Sequence, residues 1–106
     1  MTETPNLKYI NELSAGSSEF KQRLIAIVKR EFPEEKSIFL KNYDGKEFSE
    51  AAENVHKLKH KIGMLGFEKG YQTTISFEEE LLKGEDSLYS EFMLILESIE
   101  NFLTTI

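Results

Sequence analysis

One run of apolar residues constrains this chain more than any other feature. Phe48, Ala51, Ala52, Val55, Leu58, Ile62 and Leu65 recur at three- and four-residue intervals, so at 3.6 residues per turn they share one helix face for about five turns. A helix with one such face has to bury it against other elements. The remaining segments supply suitable partners. Leu7, Ile10 and Leu13 form a short stripe stopped by Ser14-Ala15-Gly16, with Thr4 as its cap and Pro5 in its first turn. Ser17 or Ser18 then caps a helix carrying Phe20, Leu24, Ile27, Val28 and Phe32. Pro33 should kink that helix or end it near Phe32; Ile38, Phe39 and Leu40 extend it, bent, to about residue 42.

Tyr43-Asp44-Gly45 reads as a turn, and Asp44 followed by Glu47 has the spacing of a capping box for the long stripe. Residues 67–83 carry two patterns. Tyr71, Thr73, Ile75 and Phe77 alternate as in a strand, whereas Phe67, Tyr71, Ile75 and Leu81-Leu82 fit a helix. A single strand would have nothing to pair with, so helix is expected, ending at Gly84. Asp86 or Ser87 should start a last helix that buries Leu88, Phe92, Leu96, Ile99 and Leu103. The expected fold is all-α: an antiparallel up-down four-helix bundle with a short additional N-terminal helix. It spans residues 1–106 as one domain, with residues 1–6 frayed.

Length and charge narrow the function. With 106 residues there is room for one core, not for a nucleotide-binding fold plus a substrate domain. There is no cysteine, hence no disulfide, thiolate nucleophile or Cys-ligated metal. No segment reaches the roughly 18 apolar residues of a membrane span, and the N-terminus lacks the pattern of a signal peptide. A cytoplasmic protein is expected. The net charge of −6 makes general nucleic-acid binding a poor fit.

The only two histidines, His56 and His60, lie one turn apart on the long stripe's helix. At about 100° per residue His56 falls ~120° and His60 ~160° from the middle of the apolar face, so both should reach solvent. Lys59 lies between His56 and the stripe, placed to lay its stem on the bundle and point its ammonium outward. Gly63 continues the line of His56, at a helix-interior position where glycine costs about 1 kcal/mol against alanine. Residues 54–70 hold Lys57, Lys59, Lys61 and Lys69 against Glu68 alone, a charge of +3; the remainder, with nine basic and eighteen acidic residues, carries −9. A basic island on an acidic body suits a transient anion or an acidic partner.

An imidazole is largely uncharged near neutral pH, and its unprotonated nitrogen attacks without a general base. That is enough to accept a phosphoryl group from an activated donor, with lysine facing the phosphoryl oxygens. The chain has neither a GxxxxGK[ST] loop nor a kinase glycine loop, so it should not use a nucleotide by itself.

His56-x-Leu58-Lys59, with Gly63 and Gly66 seven and ten residues after the histidine, resembles the histidine-containing phosphotransfer (HPt) domain. The resemblance covers most of residues 7–105, including the helix that ends Leu81-Leu82-Lys83-Gly84. It implies a phosphorelay intermediate without enzymatic activity of its own, working as a monomer. His56 would be the phosphoacceptor and Lys59 the supporting cation. Receiver domains of response regulators or of a hybrid histidine kinase would be the partners and would bring the Mg²⁺; the carrier itself needs no cofactor. Gly63 would leave clearance for the docking receiver, with His60, Met64, Phe67 and Lys57 around it. One departure stands out: the family usually has a small residue, commonly glycine, directly after the lysine, where this chain has His60.

Plainer readings stand beside these. Lys57 and Lys61 read as a solvated helix face, Gly66 as a helix-end glycine, and Glu78-Glu79-Glu80 as a solvated acidic run. Two rival functions compete: a helical adaptor that binds without chemistry, and a metal site using the His56–His60 pair. The metal reading has no second Glu-x-x-His and no third histidine, and three lysines nearby repel a cation.

Overall fold

The computed structural model describes residues 3–106, and those residues form five helices and no strand: α1 (Lys8–Ser14), α2 (Ser18–Asp44), α3 (Phe48–Met64), α4 (Glu68–Leu82) and α5 (Tyr89–Leu103). The segment with two competing patterns is helical, as expected. α3 packs most extensively, against α2 on one side and α4 on the other; α5 closes on α4 and α2, and α1 lies on α2. The long stripe is the centre of the core. Ala51, Val55, Leu58, Ile62 and Leu65 are all fully buried, with Phe32 and Phe39 from α2, Phe77 from α4 and Phe92 from α5. Phe39 and Phe77 each meet Phe92, at ring-centroid distances of 5.3 and 4.9 Å. Burying each such side chain stabilises the fold by about 1.5–3 kcal/mol.

The helix ends show which local signals prevailed. The Ser17 hydroxyl accepts from the Phe20 N–H at 3.2 Å, the expected cap. α2 does not end near Phe32 but runs unbroken through Pro33 to Asp44. Pro33 is exposed, while Phe32 and Phe39 on either side of it are buried, so core packing carries the helix past the missing N–H. Its inner face is Ile25, Val28, Phe32 and Phe39; Phe20, Ile27 and Ile38 lie on an exposed flank.

The Asp44–Glu47 capping box does not form. Asp44 completes the last turn of α2, and Glu47, at the N-cap of α3, makes no side-chain cap. The turn is closed by backbone bonds instead: the Lys46 N–H donates to the Tyr43 carbonyl at 2.9 Å and the Glu47 N–H to the Asn42 carbonyl at 2.8 Å. This is the pairing of a Schellman motif, and it puts Lys46 at φ +58°, in the left-handed region. α4 closes in the same way at Gly84. Neither Asp86 nor Ser87 caps α5. Glu80 of α4 reaches across, accepting from the Leu88 N–H at 2.9 Å and from the Ser87 hydroxyl. Asp86 is engaged by the Tyr43 hydroxyl at 2.6 Å; burial and this carboxylate push the Tyr43 phenol well above its usual range.

The N-terminus corrects a further expectation. Residues 3–6 are not frayed; Met1 and Thr2 lie outside the described residues. The Glu3 carboxylate accepts from the Lys69 and Gly70 N–H groups at the start of α4, at 2.9 and 3.0 Å. Pro5 is buried, and the Asn6 N–H donates to the Leu65 carbonyl at 2.7 Å. Thr4 and Pro5 therefore lie outside α1, which begins only at Lys8, where the Asn6 side chain accepts from the Lys8 N–H at 3.0 Å. Of the short α1 stripe, Ile10 is buried and Leu13 exposed. Among the described residues, no helix is long and apolar enough to cross a membrane.

Candidate functional site

Because Val55, Leu58 and Ile62 turn inward, the opposite face of α3 carries His56, Lys57 and His60 into solvent. The His56 side chain is 51% exposed. Its neighbours come from two helices. Glu78 on α4 sets its carboxylate against Nδ1, with Oε2 at 3.1 Å and Oε1 at 3.3 Å. Lys59, one turn along α3, brings Nζ to 3.2 Å from the same Nδ1 and to 3.7 Å from Glu78 Oε1. Lys59 thus lays its stem on the bundle as expected, but its ammonium turns toward Glu78 rather than straight outward, and only 15% of its side chain is exposed. The His60 ring stands edge-on to that of His56, centroids 5.1 Å apart and planes at 88°.

Beside the histidines lies an open apolar groove, lined by Tyr9 and Leu13 of α1, His60, Gly63 and Met64 of α3 and Tyr71 of α4. Tyr9 and Leu13 are each 46% exposed. Gly63 has a reason within the fold as well: a Cβ there would lie 3.3 Å from two ring carbons of Tyr71. The glycine lets the Tyr71 ring lie close against α3 and form the floor between helices.

Two expectations about this face fail. Phe67 is fully buried and offers nothing to a partner. It follows the left-handed Gly66 in the Schellman motif that ends α3, its N–H donating to the Ile62 carbonyl at 3.4 Å; an apolar residue there characteristically packs back on its own helix. Lys61 is not a solvated lysine. Its ammonium lies 2.9 Å from Glu31 and 3.3 Å from Glu35, both on α2, and 13% of its side chain is exposed. Burial pulls the Lys61 ammonium down, but the hydrogen bond it donates to Glu31 and the charge of Glu35 outweigh it and raise it above the usual lysine range. The Lys61 hydrogen bond, with its charge, holds the Glu31 carboxyl below the usual range.

The basic island is therefore smaller than the local sequence implies. Lys59 is matched by Glu78 and Lys61 by Glu31 and Glu35, all from flanking helices; Lys57 remains exposed. Among the described residues, no group of three or more His, Cys, Asp or Glu side chains has an arrangement able to hold a metal ion. Sequence reasoning missed Glu78, Glu31, Glu35, Tyr9, Leu13 and Tyr71, because each reaches the site only through the register between helices. Comparison of the chain with protein-family models, curated proteins and solved structures found no match.

Proposed function

We propose that the chain is a phosphorelay carrier of the HPt type. A phosphorylated receiver-domain aspartate, on a hybrid sensor kinase or a response regulator, passes its phosphoryl group to His56, and a second receiver takes it on. The observation that carries this reading is the half-exposed His56 imidazole with the Lys59 ammonium 3.2 Å from its Nδ1. A solvated nucleophile beside a partly desolvated cation is what acceptance of a phosphoryl group from an activated donor requires.

The remaining features fit that role. His60 and Gly63 flank the acceptor, and Met64 borders the apolar groove in which a partner surface would rest. Lys57 adds an exposed cation at the margin. The receiver's acidic pocket and its Mg²⁺ supply most of the transition-state stabilisation, so the carrier needs no nucleotide site or cofactor. The carrier works as a monomer in the cytoplasm, where receiver domains act.

The antiparallel up-down arrangement of the four long helices belongs to the same proposal. It is supported by the pairs Asn42–Asn54 and Glu35–Lys61 between α2 and α3, and His56–Glu78 and Gly63–Tyr71 between α3 and α4. In each case one partner's number rises as the other's falls.

The test is transfer from a phosphorylated receiver domain, followed as acid-labile, base-stable label on this chain. Wild type and His60→Gln should take label and His56→Gln should not. Label that survives in His56→Gln but is lost in His60→Gln would move the acceptor to His60. No label on a folded wild-type chain with a panel of receivers would leave an adaptor that binds through its groove.

A further inference from the structure

The second imidazole is the part of this face that the carrier reading leaves without a task. At about 100° per residue, Lys59 and His60 lie ~60° and ~40° to opposite sides of His56, one turn further along α3. The two sides are occupied differently. The Lys59 ammonium lies 3.2 Å from His56 Nδ1 and 3.7 Å from Glu78, with 15% of the side chain exposed. His60 is exposed, and its ring stands edge-on to that of His56 with centroids 5.1 Å apart. Among the described residues, no hydrogen bond or ion pair engages either of its nitrogens. Its surroundings bring no charge of their own: the side chains lining the groove with it are Tyr9 and Leu13 of α1, Met64 of α3 and Tyr71 of α4. His60 thus keeps a free N–H donor beside the acceptor ring, on the flank opposite the committed lysine.

We infer that His60 is a second catalytic residue of this site, donating a ring N–H to an oxygen of the phosphoryl group carried by His56. The inference rests on the phosphocarrier reading. The neighbours of His56 all sit at Nδ1, so a phosphoryl group is received on the free side of the ring. Its oxygens only accept, and an imidazole carries one N–H when neutral and two when charged. A hydrogen bond to an ionised oxygen is about twice as strong as a neutral one. The charge of the transferring group is spread over its three equatorial oxygens, where a fixed donor acts on it. No further bond is made: nitrogen of His56 attacks phosphorus, and the P–O bond breaks with its electron pair leaving on the receiver's aspartate. His60 keeps its proton throughout. The imidazole directly after Lys59 thereby has a chemical reason to be there, and it shares its ring between the acceptor and the groove in which a partner rests.

Two measurements on the full chain test this, with amide spectra confirming that each variant is folded. The first needs no receiver: the chain, labelled with ¹⁵N-histidine, is phosphorylated with phosphoramidate. The ring N–H proton of His60 should be hidden by exchange with water before modification and appear once His56 carries the phosphoryl group. A proton that stays hidden, or label that goes to His60 in place of His56, overturns the inference. The second compares transfer from a phosphorylated receiver in wild type, His60→Gln, which keeps an N–H donor, and His60→Leu, which keeps bulk without one. In His60→Leu kcat should fall by about 10-fold with KM within about threefold, and His60→Gln should stay within about threefold of wild type in both. A kcat unchanged in His60→Leu, a glutamine variant as slow as the leucine one, or an effect confined to KM would reduce His60 to a docking side chain and overturn the catalytic role. An N–H signal that appears as stated in a chain that exchanges phosphoryl groups with no receiver would sink the carrier reading instead, leaving the contact itself in place.

Discussion

Single residues on α3 are held by charges that a window of sequence does not contain. Lys61 shows this best, since it bridges Glu31 and Glu35 from the neighbouring helix with most of its length covered. Its two partners lie 26 and 30 positions away, and nothing local distinguishes it from Lys57, which is exposed. The pair has a pH signature. Glu31 titrates lower in the folded chain than unfolded, so its contribution is present above the ordinary carboxylate pKa of 4.5 and is lost as pH falls through the lowered folded value. Lys61 titrates higher in the folded chain, so its contribution is present below its ordinary pKa of 10.5 and is lost as pH rises through the raised one. The substitution Lys61→Met keeps the buried stem and removes the charge. The gap in urea midpoint between wild type and Lys61→Met should favour wild type most near pH 7 and narrow toward pH 3. A gap that stays constant across that range would mean that stem packing, not the ion pair, is what Lys61 contributes.

At the level of elements, helix ends decide where the chain turns, and here one end has an unfavourable residue. Lys46 takes the left-handed position after α2 that Gly66 and Gly84 take after α3 and α4, while the adjacent Gly45 has an ordinary φ of −79°. A residue with a Cβ is strained there by about 1–2 kcal/mol. Lys46→Gly should therefore stabilise the fold by about 1 kcal/mol in chemical denaturation, and Gly84→Ala should destabilise it by about the same amount. Loss of stability in Lys46→Gly would show that the lysine side chain makes a compensating interaction. The same positions explain what could be read in advance. All five helices were legible, because each carries an apolar stripe at helical spacing and four are followed within two residues by a glycine. The start of α5 was not, because its cap is Glu80 from another helix, and the start of α4 was not, because the carboxylate on its first N–H groups is Glu3, three helices back along the chain. At the site, the exposure of His56 and His60 followed from angles on one helix. Glu78 did not: a run of three glutamates looks alike until the register of α4 against α3 gives each a different neighbour.

Over the whole molecule, charge and apolar surface make different predictions about how a partner is recognised. Read linearly, residues 54–70 form a +3 island that would steer an acidic partner and lose its hold in salt. Folded, two of its four lysines are matched by Glu31, Glu35 and Glu78 within 4 Å, and the body around them is strongly acidic. Long-range attraction is correspondingly weak, and the surface beside His56 that distinguishes this face is the apolar groove of Tyr9, Leu13, Met64 and Tyr71. If the carrier reading holds, docking should depend on that groove more than on ionic strength. Raising salt from about 50 to about 500 mM should change the apparent KM for a phosphorylated receiver by less than about threefold. Leu13→Asp, at an exposed position on α1 where the fold loses little, should raise it by about 10-fold or more with little change in kcat, since it introduces a charge that docking must desolvate. A steep salt dependence together with an inert Leu13→Asp would assign recognition to Lys57 and the remaining exposed charge, and would place the docking face on the α2 side of the histidines rather than on the side of α1 and α4.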